Sequence, residues 1–404
     1  MASESLLDAF PPTRYAFAYG SAVFAQSGYS AADIADAMTD LVFVVDDPAA
    51  WHRQNLAANR SHYSALAMLG PDTVASVQDR FGGRIYYNTH ARVRGRLIKY
   101  GVISTDAIRE DLQHWSSLYV SGRMHKPVRV LRPDAKLQLA VARNLRSALA
   151  ASLLLLPTRF DDVRMLEAIC GLSYAGDVRM GVGESWHKVD NIVAGQAASL
   201  RELYAAPLAA EGSAAAYGAV VGPEHLLGGR RDGASAARAS LPPSLEQDVT
   251  LPARRRLLAS LPLCAQAGML EHLAASGLGA VPGHAAAAGS GLTAAPLATA
   301  EAAAAAVPAR LGEAAELLWE RSRSAEEANA RLATSLRHSL SGIVRRASAA
   351  QTLKGALTAG VLRSAAYAFA KVSKRLKATP PPAAGAARSE ARSAARASPE
   401  SRGA

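Results

Sequence analysis

The chain has 404 residues, of which 50% are hydrophobic, so it is long enough to bury a sizeable core without disulfides or metals. Its two cysteines, Cys170 and Cys264, are far apart and have no CxxC motif or Cys/His cluster nearby, which excludes a disulfide scaffold and a structural zinc site. The formal net charge is +11, and residues 331–404 carry 14 of the 45 lysines and arginines but only two of the 34 acids. The basic excess therefore lies in the C-terminal fifth, where it could meet an anionic surface.

The sequence offers no obvious targeting or membrane-spanning segment. The longest apolar run, Ala148 to Leu156, ends at Pro157 and is shorter than the roughly 18–20 residues of a spanning helix. Residues 1–12 contain two acids and no arginine, unlike a signal peptide or an arginine-rich transit peptide. The sequence therefore predicts a protein that does not cross a membrane.

The first half alternates predicted strands and helices. A strand over Tyr15–Tyr19 ends at the Gly20-Ser21 turn, and Asp40 opens a short buried strand over Leu41–Val45. A helical pattern follows over Trp51–Leu69 and ends near Gly70-Pro71. Further along the chain, the pattern predicts strands at Ile85–Tyr87 and Arg96–Ser104 and helices at Asp106–Tyr119, Asp134–Leu156 and Asp161–Leu172.

The second half differs in composition. Residues 205–239 and 274–309 are rich in Ala, Gly, Ser and Pro, so we expect loops or disordered inserts there, with short docked helices at Arg254–Leu273 and Glu313–Leu340. The predicted fold class is α+β. The predicted boundaries are 1–130 for the first domain, 131–204 for a mainly helical domain, 205–340 for the inserts, 341–378 for a basic amphipathic segment and 379–404 for a disordered tail.

Gly20-Ser21 after one strand and Asp40 at the start of the next form the minimal layout of a nucleotidyltransferase site. A glycine lets the backbone approach phosphate oxygens, the serine hydroxyl and nearby N–H groups bind them, and an aspartate holds Mg²⁺. The pattern thus predicts Gly20 and Ser21 as nucleotide-binding residues and Asp40 as a metal ligand. An ordinary β-turn and a solvated acid at a strand entry would explain the same residues.

The second metal ligand is not identified by the sequence. A second acid two residues after Asp40 would share its strand face, but Val42 stands there. Asp46 shares the face yet lies about 20 Å along an extended strand, too far to share one ion. Asp36, phosphate oxygens and water remain as candidates.

Four polar side chains recur at helical spacing after the second strand. His52, Asn55, Asn59 and His62 would lie along one stripe of a helix, although none is a good helix former. The stripe predicts binding of phosphate or of a nucleobase. The alternative is a hydrated helix face.

Basic residues supply the remaining candidates. Lys99 points to the strand face opposite Ile98 and could balance the charge of a triphosphate during transfer. Arg123, His125 and Lys126 form a short cationic loop that could hold a second phosphate. The alternative is an ordinary solvated surface loop.

A series of motifs runs almost without gaps through the first half of the chain: Tyr19-Gly20-Ser21, Asp40, Trp51-His52, Asn55-Leu56, Asn59, His62-Tyr63-Ser64, Ile98-Lys99-Tyr100-Gly101-Val102, Asp111-Leu112, Trp115, Leu118-Tyr119-Val120, Gly122-Arg123, Lys126-Pro127, Leu172-Ser173-Tyr174, Gly176-Asp177, Arg179-Met180 and Lys188-Val189. Together they resemble the mitochondrial phosphatidate cytidylyltransferases, the translocator assembly and maintenance proteins. A weaker match returns near Lys354-Gly355.

The resemblance implies an enzyme that condenses CTP with phosphatidic acid to give CDP-diacylglycerol and pyrophosphate. It implies a Mg²⁺ cofactor, a peripheral position on the matrix side of the inner mitochondrial membrane, and a product that feeds cardiolipin synthesis. The implied fold is a nucleotidyltransferase domain, a winged-helix-like domain and a C-terminal membrane-contacting segment. In this interpretation Asp40 and Lys99 are catalytic, and Arg123 and Lys126 bind the lipid phosphate.

The basic segment near the C-terminus forms an imperfect amphipathic helix over Leu353–Leu376, weakened by Gly355 and Gly360. Anionic lipids attract such segments at about 1 kcal/mol per basic residue. Aromatic residues for base stacking are nearly absent, so we expect a membrane surface as partner and no nucleic acid, with a plain docked helix as the alternative.

Two other functions fit parts of the sequence. One is a nucleotidyltransferase that extends RNA ends, which would act without lipid. The other is a non-catalytic factor that supports protein import, to which the missing acid at Val42 lends weight.

Overall fold

In the computed structural model, the described residues are 4–20, 22–24, 38–180, 187–209, 219–220, 244–278 and 297–359. They all belong to the first of two units into which the chain divides, residues 1–361. The second unit, 362–404, lies outside the described residues, as do Asp36, Ser21 and residues 360–378 of the predicted basic segment.

A mixed five-stranded sheet forms the first half of this unit. Its strands are β1 (Tyr15–Tyr19), β2 (Thr39–Val45), β3 (Ile85–Val93), β4 (Arg96–Ser104) and β5 (Arg129–Arg132), in the order β3-β4-β2-β1-β5. β2 and β4 are parallel, and the other neighbouring pairs are antiparallel. The strands predicted at 15–19, 41–45, 85–87 and 96–104 are therefore confirmed, and β5 is an edge strand that the pattern did not predict.

Alternation along the strands gives the sheet two different faces. On one face, Phe17, Val42 and Ile103 form a core with Ile108 and Leu112. On the other face, Phe43 and Tyr100 pack against helices near the N-terminus. Because a side chain on one face cannot reach the other, the face on which a polar residue lies decides which site it can join.

The helices of this half are short, and two of the four have a side-chain cap. They are α1 (Glu4–Leu7), α2 (Pro48–Ala58), α3 (Pro71–Arg80) and α4 (Thr105–His114), with 3-10 turns at Arg60–His62 and Ala65–Leu69. Ser104 caps α4 by accepting a hydrogen bond from the Ala107 amide, so the helix begins one residue before the predicted start at Asp106. The helix predicted over 51–69 ends at Ala58, where two 3-10 turns replace it.

The second half of the unit is mainly helical around one large core. Its helices are α5 (Ala135–Leu155), α6 (Asp162–Gly171), α7 (Lys188–Ala209), α8 (Leu251–Ala259), α9 (Leu263–Leu273), α10 (Leu297–Arg321) and α11 (Ala325–Ala359), with a 3-10 turn at Leu172–Tyr174 and a π-helical turn at Ala274–Leu278. A small sheet joins β6 (Arg159–Asp161), β8 (Ser244–Gln247) and β7 (Ala219–Val220), in the order β6-β8-β7. The starts predicted at Asp134 and Asp161 are confirmed, since both side chains accept a hydrogen bond from the first turn of their helix.

The long helix α11 connects the two halves. It packs against α5 and α9 in the helical half and against β3 in the sheet. Within the alanine-rich stretch 274–309, residues 297–309 belong to α10, so the prediction of a loop there is wrong. Alanine has the highest helix propensity of all residues, and the same helix continues to Leu311 and Leu318, which are buried in the large core.

Candidate active site

An ion pair lies at the centre of the sheet, where β1, β2 and β4 run side by side. The register pairs Asp40 with Tyr19 on one neighbouring strand and with Lys99 on the other. The Lys99 ammonium is 3.1 Å from Oδ1 of Asp40, and the two side chains are only 20% and 25% exposed. Oδ1 of Asp40 is buried and accepts no hydrogen bond within the described part of the chain, so Lys99 balances its charge without saturating its lone pairs.

Gly20 lies directly against this carboxylate. Its φ of +87° places it in the left-handed region, and a Cβ at this position would be 3.2 Å from Oδ2 of Asp40. Its carbonyl accepts hydrogen bonds from the amides of Val23 (3.1 Å) and Phe24 (3.0 Å), which closes a tight turn. The structure thus brings together Gly20 and Asp40, which the sequence assigned to one site, and places Lys99 beside them.

Tyrosine rings connect this ion pair to a second basic group. The ammonium of Lys99 lies 4.7 Å from the ring centre of Tyr87, whose hydroxyl is 3.4 Å from that of Tyr19. The guanidinium of Arg123 lies 5.3 Å from the Tyr19 ring and 4.2 Å from the Tyr119 ring. Burial raises the pKa of Tyr19 and of Tyr87, so both phenols are neutral and add no negative charge beside the cations.

Two further cations extend the cluster toward the helical half. The ammonium of Lys126 donates to the Ser173 hydroxyl at 2.9 Å and lies 5.0 Å from the Tyr174 ring. Burial lowers the pKa of Lys126 to about 8, with the Arg123 charge adding to the effect. The guanidinium of Arg179 lies 5.8 Å from the Tyr119 ring. We call Lys99, Arg123, Lys126 and Arg179 the cationic cluster.

Arg179 is held in place by Asp177. Its Nε and Nη2 donate to the two carboxylate oxygens at 2.9 and 2.6 Å. Burial raises the pKa of Asp177, but the hydrogen bonds from Arg179 outweigh it and keep that pKa below its ordinary value. The sequence analysis assigned no role to Arg179, Asp177 or Tyr119, because they come from segments distant from the Gly20-Ser21 turn.

The loop that carries Tyr119 and Arg123 is organised by one buried carboxylate. Oδ1 of Asp111 accepts hydrogen bonds from the amide and hydroxyl of Ser117 (2.9 and 2.8 Å) and from the amide of Leu118 (2.9 Å). Oδ2 accepts from the amides of Val120 (3.0 Å) and Ser121 (2.8 Å). These five bonds fix residues 117–121 and thereby the position of the rings and cations beyond them.

Sequence comparison assigns the chain to a known group of proteins. The family model described as mitochondrial phosphatidate cytidylyltransferase matches residues 3–374, which is most of the chain.

The chain belongs to this family.

Individual members of the phosphatidate cytidylyltransferase family are similar over about half of the chain. The mitochondrial phosphatidate cytidylyltransferase of Xenopus laevis is 50% identical over 195 residues, covering 48% of this chain and 58% of the relative. The human protein of that name is 48% identical over 204 residues (50% and 45%), and that of Schizosaccharomyces pombe is 44% identical over 201 residues (50% and 51%). The chain thus spans about half the length of the curated relatives it matches.

The polar stripe of the family motif lies on the other face of the sheet. His52 and Asn55 are fully buried, and His52 contacts the Tyr63 hydroxyl at 2.8 Å and Oε1 of Gln78 at 3.0 Å. The Asn55 amide donates to the hydroxyls of Tyr63 and Tyr100, both at 2.9 Å. Tyr100 packs on the face opposite Lys99, so the network is separated from Asp40 by the sheet itself.

The remaining two stripe residues join the same network. Asn59 donates to Oδ1 of Asn55 at 2.8 Å and to the carbonyl of Ala9 at 2.9 Å, and His62 contacts the Tyr100 hydroxyl at 3.0 Å. Burial lowers the pKa of His52 to about 4, so its ring is neutral. This geometry argues against the predicted nucleotide-binding role of His52, Asn55, Asn59 and His62, because their polar atoms are used inside the fold.

His125 does not contribute a charge to the cationic loop. It is fully buried, and burial lowers its pKa to about 3. Its Nε2 lies 3.1 Å from Oδ1 of Asn144, which also accepts the indole N–H of Trp115 at 2.7 Å. The prediction of a cation at this position is wrong, since the side chain packs in the core between the two halves.

Neither Val42 nor Asp46 supplies a second metal ligand beside Asp40. Val42 is fully buried in the core, and Asp46 binds Arg14 through both oxygens, at 2.6 and 2.8 Å, beyond the far end of β2. Within the described ranges, no group of three or more His, Cys, Asp or Glu side chains could hold a metal ion. Asp40 is therefore the one predicted metal ligand that the described residues place in the site.

Proposed function

We propose that this chain is a phosphatidate cytidylyltransferase that transfers the cytidylyl group of CTP to phosphatidic acid, giving CDP-diacylglycerol and pyrophosphate. The observation that carries the proposal is the convergence of Gly20, Asp40 and Lys99 in a chain of this family. The finer fold, a nucleotidyltransferase domain followed by a winged-helix-like domain, belongs to the same proposal. It is consistent with a mixed sheet followed by helices and a small sheet.

Mg²⁺ fits the donor set at Asp40. This ion keeps several waters and needs only one or two carboxylates beside the phosphates of its substrate. Oδ1 of Asp40 is a buried carboxylate oxygen without a hydrogen bond, and Gly20 leaves room beside Oδ2. When bound, Mg²⁺ would neutralise phosphate charge as a Lewis acid.

The residues of the chain divide the work of positioning the triphosphate. Gly20 has no side chain, so phosphate oxygens can come close to its backbone. A side chain at this position would instead approach the Asp40 carboxylate. Lys99 is held beside Asp40 by charge and over the neutral Tyr87 ring. In the proposed reaction its ammonium balances the charge that develops on the departing pyrophosphate. No protein nucleophile is required, since the attacking lipid phosphate is already an anion.

Arg123 and Lys126 are the proposed binding groups for the lipid phosphate. Arg123 lies over the rings of Tyr19 and Tyr119, which position a planar donor suited to phosphate oxygens. Lys126 is half-buried with its pKa lowered to about 8, so a phosphate dianion beside it would stabilise its charged form. Arg179, held by Asp177, is a third donor that we add to this subsite.

We further propose a peripheral position at the inner mitochondrial membrane on the matrix side, with a product that serves cardiolipin synthesis. The names of the relatives carry the mitochondrial setting. Among the described helices, none is long and apolar enough to cross a bilayer. The basic amphipathic segment at 341–378 would contact anionic lipid. Its residues 341–359 form the end of α11.

An omission assay tests this function. Purified full-length chain is incubated with CTP, Mg²⁺ and phosphatidic acid in detergent, and pyrophosphate and CDP-diacylglycerol are measured. We expect both products only when all three components are present. In parallel reactions, RNA replaces the lipid, and ATP, GTP or UTP replaces CTP. Nucleotide addition to RNA without lipid, or no turnover under any condition, would overturn the proposal in favour of an RNA-directed or a non-catalytic function.

A further inference from the structure

Four large apolar side chains are exposed on elements that contact one another. Met68, Leu69, Phe81 and Leu353 are 77%, 68%, 54% and 67% exposed. They are four of the seven large hydrophobic side chains that are exposed in the described part of the chain. A group of exposed apolar side chains usually marks a contact site, because its burial removes apolar surface from water.

The four residues lie on elements that contact one another. The 3-10 turn Ala65–Leu69 packs against α11, and Leu353 lies on the last turns of that helix. The next residue, Lys354, is buried and donates to the carbonyls of Phe81 (2.6 Å) and Gln78 (3.2 Å). These contacts fix Phe81 beside the end of α11. We call Met68, Leu69, Phe81 and Leu353 the apolar patch.

The loop after Phe81 links the apolar patch to the cationic cluster. The amide of Gly83 donates to Oε1 of Gln351 on α11 at 3.1 Å. A Cβ on Gly83 would lie 2.6 Å from Cγ of Tyr119, so the backbone lies directly against the ring that stacks on Arg123. The apolar patch and the proposed lipid-phosphate donors are thus neighbours across one short loop.

The charges that flank the apolar patch are mainly positive, and the exposed acid Asp72 on α3 lies 3.6 Å from Arg53. Arg80, Arg345 and Arg346 are exposed on the helices that flank it. The sequence after α11 continues toward the C-terminus with nine basic residues and two acids. An apolar surface with basic neighbours matches an anionic bilayer, in which headgroup phosphates lie above the acyl chains.

We propose that the apolar patch inserts into the surface of an anionic lipid bilayer and so presents the cationic cluster to headgroup phosphates. The choice of phosphatidic acid as the bound headgroup rests on the proposed function. Insertion of Met68, Leu69, Phe81 and Leu353 does not, because it depends only on the exposed surface and its charge.

An environment-sensitive fluorophore tests insertion directly. The full chain with Cys264→Ser and Met68→Cys is labelled with nitrobenzoxadiazole, and vesicles of phosphatidylcholine with or without phosphatidic acid are added. The matched control carries the label at Leu139→Cys, which is also 67% exposed but lies on α5. We expect a blue shift and an intensity increase at position 68 with phosphatidic acid vesicles and no change at position 139.

Two results of this experiment would overturn the proposal. One is an unchanged spectrum at position 68 while the protein sediments with the vesicles, which would show that other elements of the chain bind the membrane. The other is a blue shift without vesicles that grows with protein concentration, which would identify a second copy of the chain as the occupant.

Activity measurements separate the apolar patch from the proposed function. The double variant Met68→Ser and Leu69→Ser should bind phosphatidic acid vesicles at least tenfold more weakly, which corresponds to about 1.4 kcal/mol. It should turn over short-chain soluble phosphatidic acid at the wild-type rate, with Leu139→Ser as control and thermal melting to verify folding. Wild-type binding by the double variant would overturn the proposal. If no form of the protein turns over either lipid, the proposed function fails, while the fluorescence result still decides insertion.

Discussion

Asp111→Asn tests how the loop beneath Arg123 is held. The carboxylate accepts three hydrogen bonds on Oδ1 and two on Oδ2, all from residues 117–121. An asparagine keeps one oxygen, and its amide nitrogen cannot accept. At least two backbone amides therefore lose their partner, those of Val120 and Ser121 in one orientation of the side chain and those of Ser117 and Leu118 in the other.

The expected loss of stability follows from these two amides. Each buried donor left unsatisfied costs about 1–3 kcal/mol, so the free energy of unfolding should fall by about 2–6 kcal/mol. Total stabilities are typically about 5–15 kcal/mol, so the effect would be large. Urea unfolding followed by circular dichroism measures it. Because the loop also carries Tyr119 and Arg123, we expect kcat/KM for phosphatidic acid to fall in the fraction that remains folded.

The adjacent Glu110→Gln is the matched control. Glu110 is half-exposed and pairs with Arg84 at the surface, so its replacement should cost less than about 1 kcal/mol. If Asp111→Asn unfolds at the same urea concentration as Glu110→Gln, the carboxylate does not hold the loop and the assigned role fails.

Three further predictions concern single positions. Gly20→Ala should reduce kcat strongly, because its Cβ would crowd Oδ2 of Asp40. The control Gly95→Ala has a similar φ of +78° and open space around it, so it should reduce only the stability. Equal activities of the two variants would refute the crowding argument. The KM for phosphatidic acid should rise as pH increases through about 8, because Lys126 loses its charge there, and Lys126→Arg should remove this rise in a pH series. His52→Ala should lower the melting temperature, because the imidazole is buried on the opposite face of the sheet. At temperatures where the variant is folded, its KM for CTP should equal that of the wild type; a raised KM would support the predicted binding role.

The sheet was largely predictable because local pattern determines it. Alternation at Tyr15–Tyr19 and the apolar run after Asp40 specify buried strands, and the turn at Gly20 needs a residue that tolerates a positive φ. Edge strand β5 was missed, since its exposed sequence Arg129–Arg132 has no apolar alternation. The helix at 297–309 was missed because composition was judged by the lack of large side chains instead of by helix propensity.

The candidate site was predictable only where its residues are close in sequence to a turn or strand. The proximity of Asp40 and Lys99 follows from parallel pairing of β2 and β4, which a single sequence does not reveal. Tyr119 and Arg179 reach the site through the loop fixed by Asp111 and through the segment packed on α11. For the polar stripe, the signal was the poor helix propensity of Asn and His together with nearby Tyr63 and Tyr100, which supply buried hydroxyl partners.

The central claim is that Asp40, beside Gly20 and Lys99, is the catalytic carboxylate. It is tested most directly by the rate of pyrophosphate release from CTP with saturating phosphatidic acid, for the wild type and for Asp40→Asn of equal melting temperature. The account predicts a loss of about 10²–10³-fold or more, as for removal of a group that stabilises a transition state. Turnover by Asp40→Asn at a rate close to the wild type would contradict it.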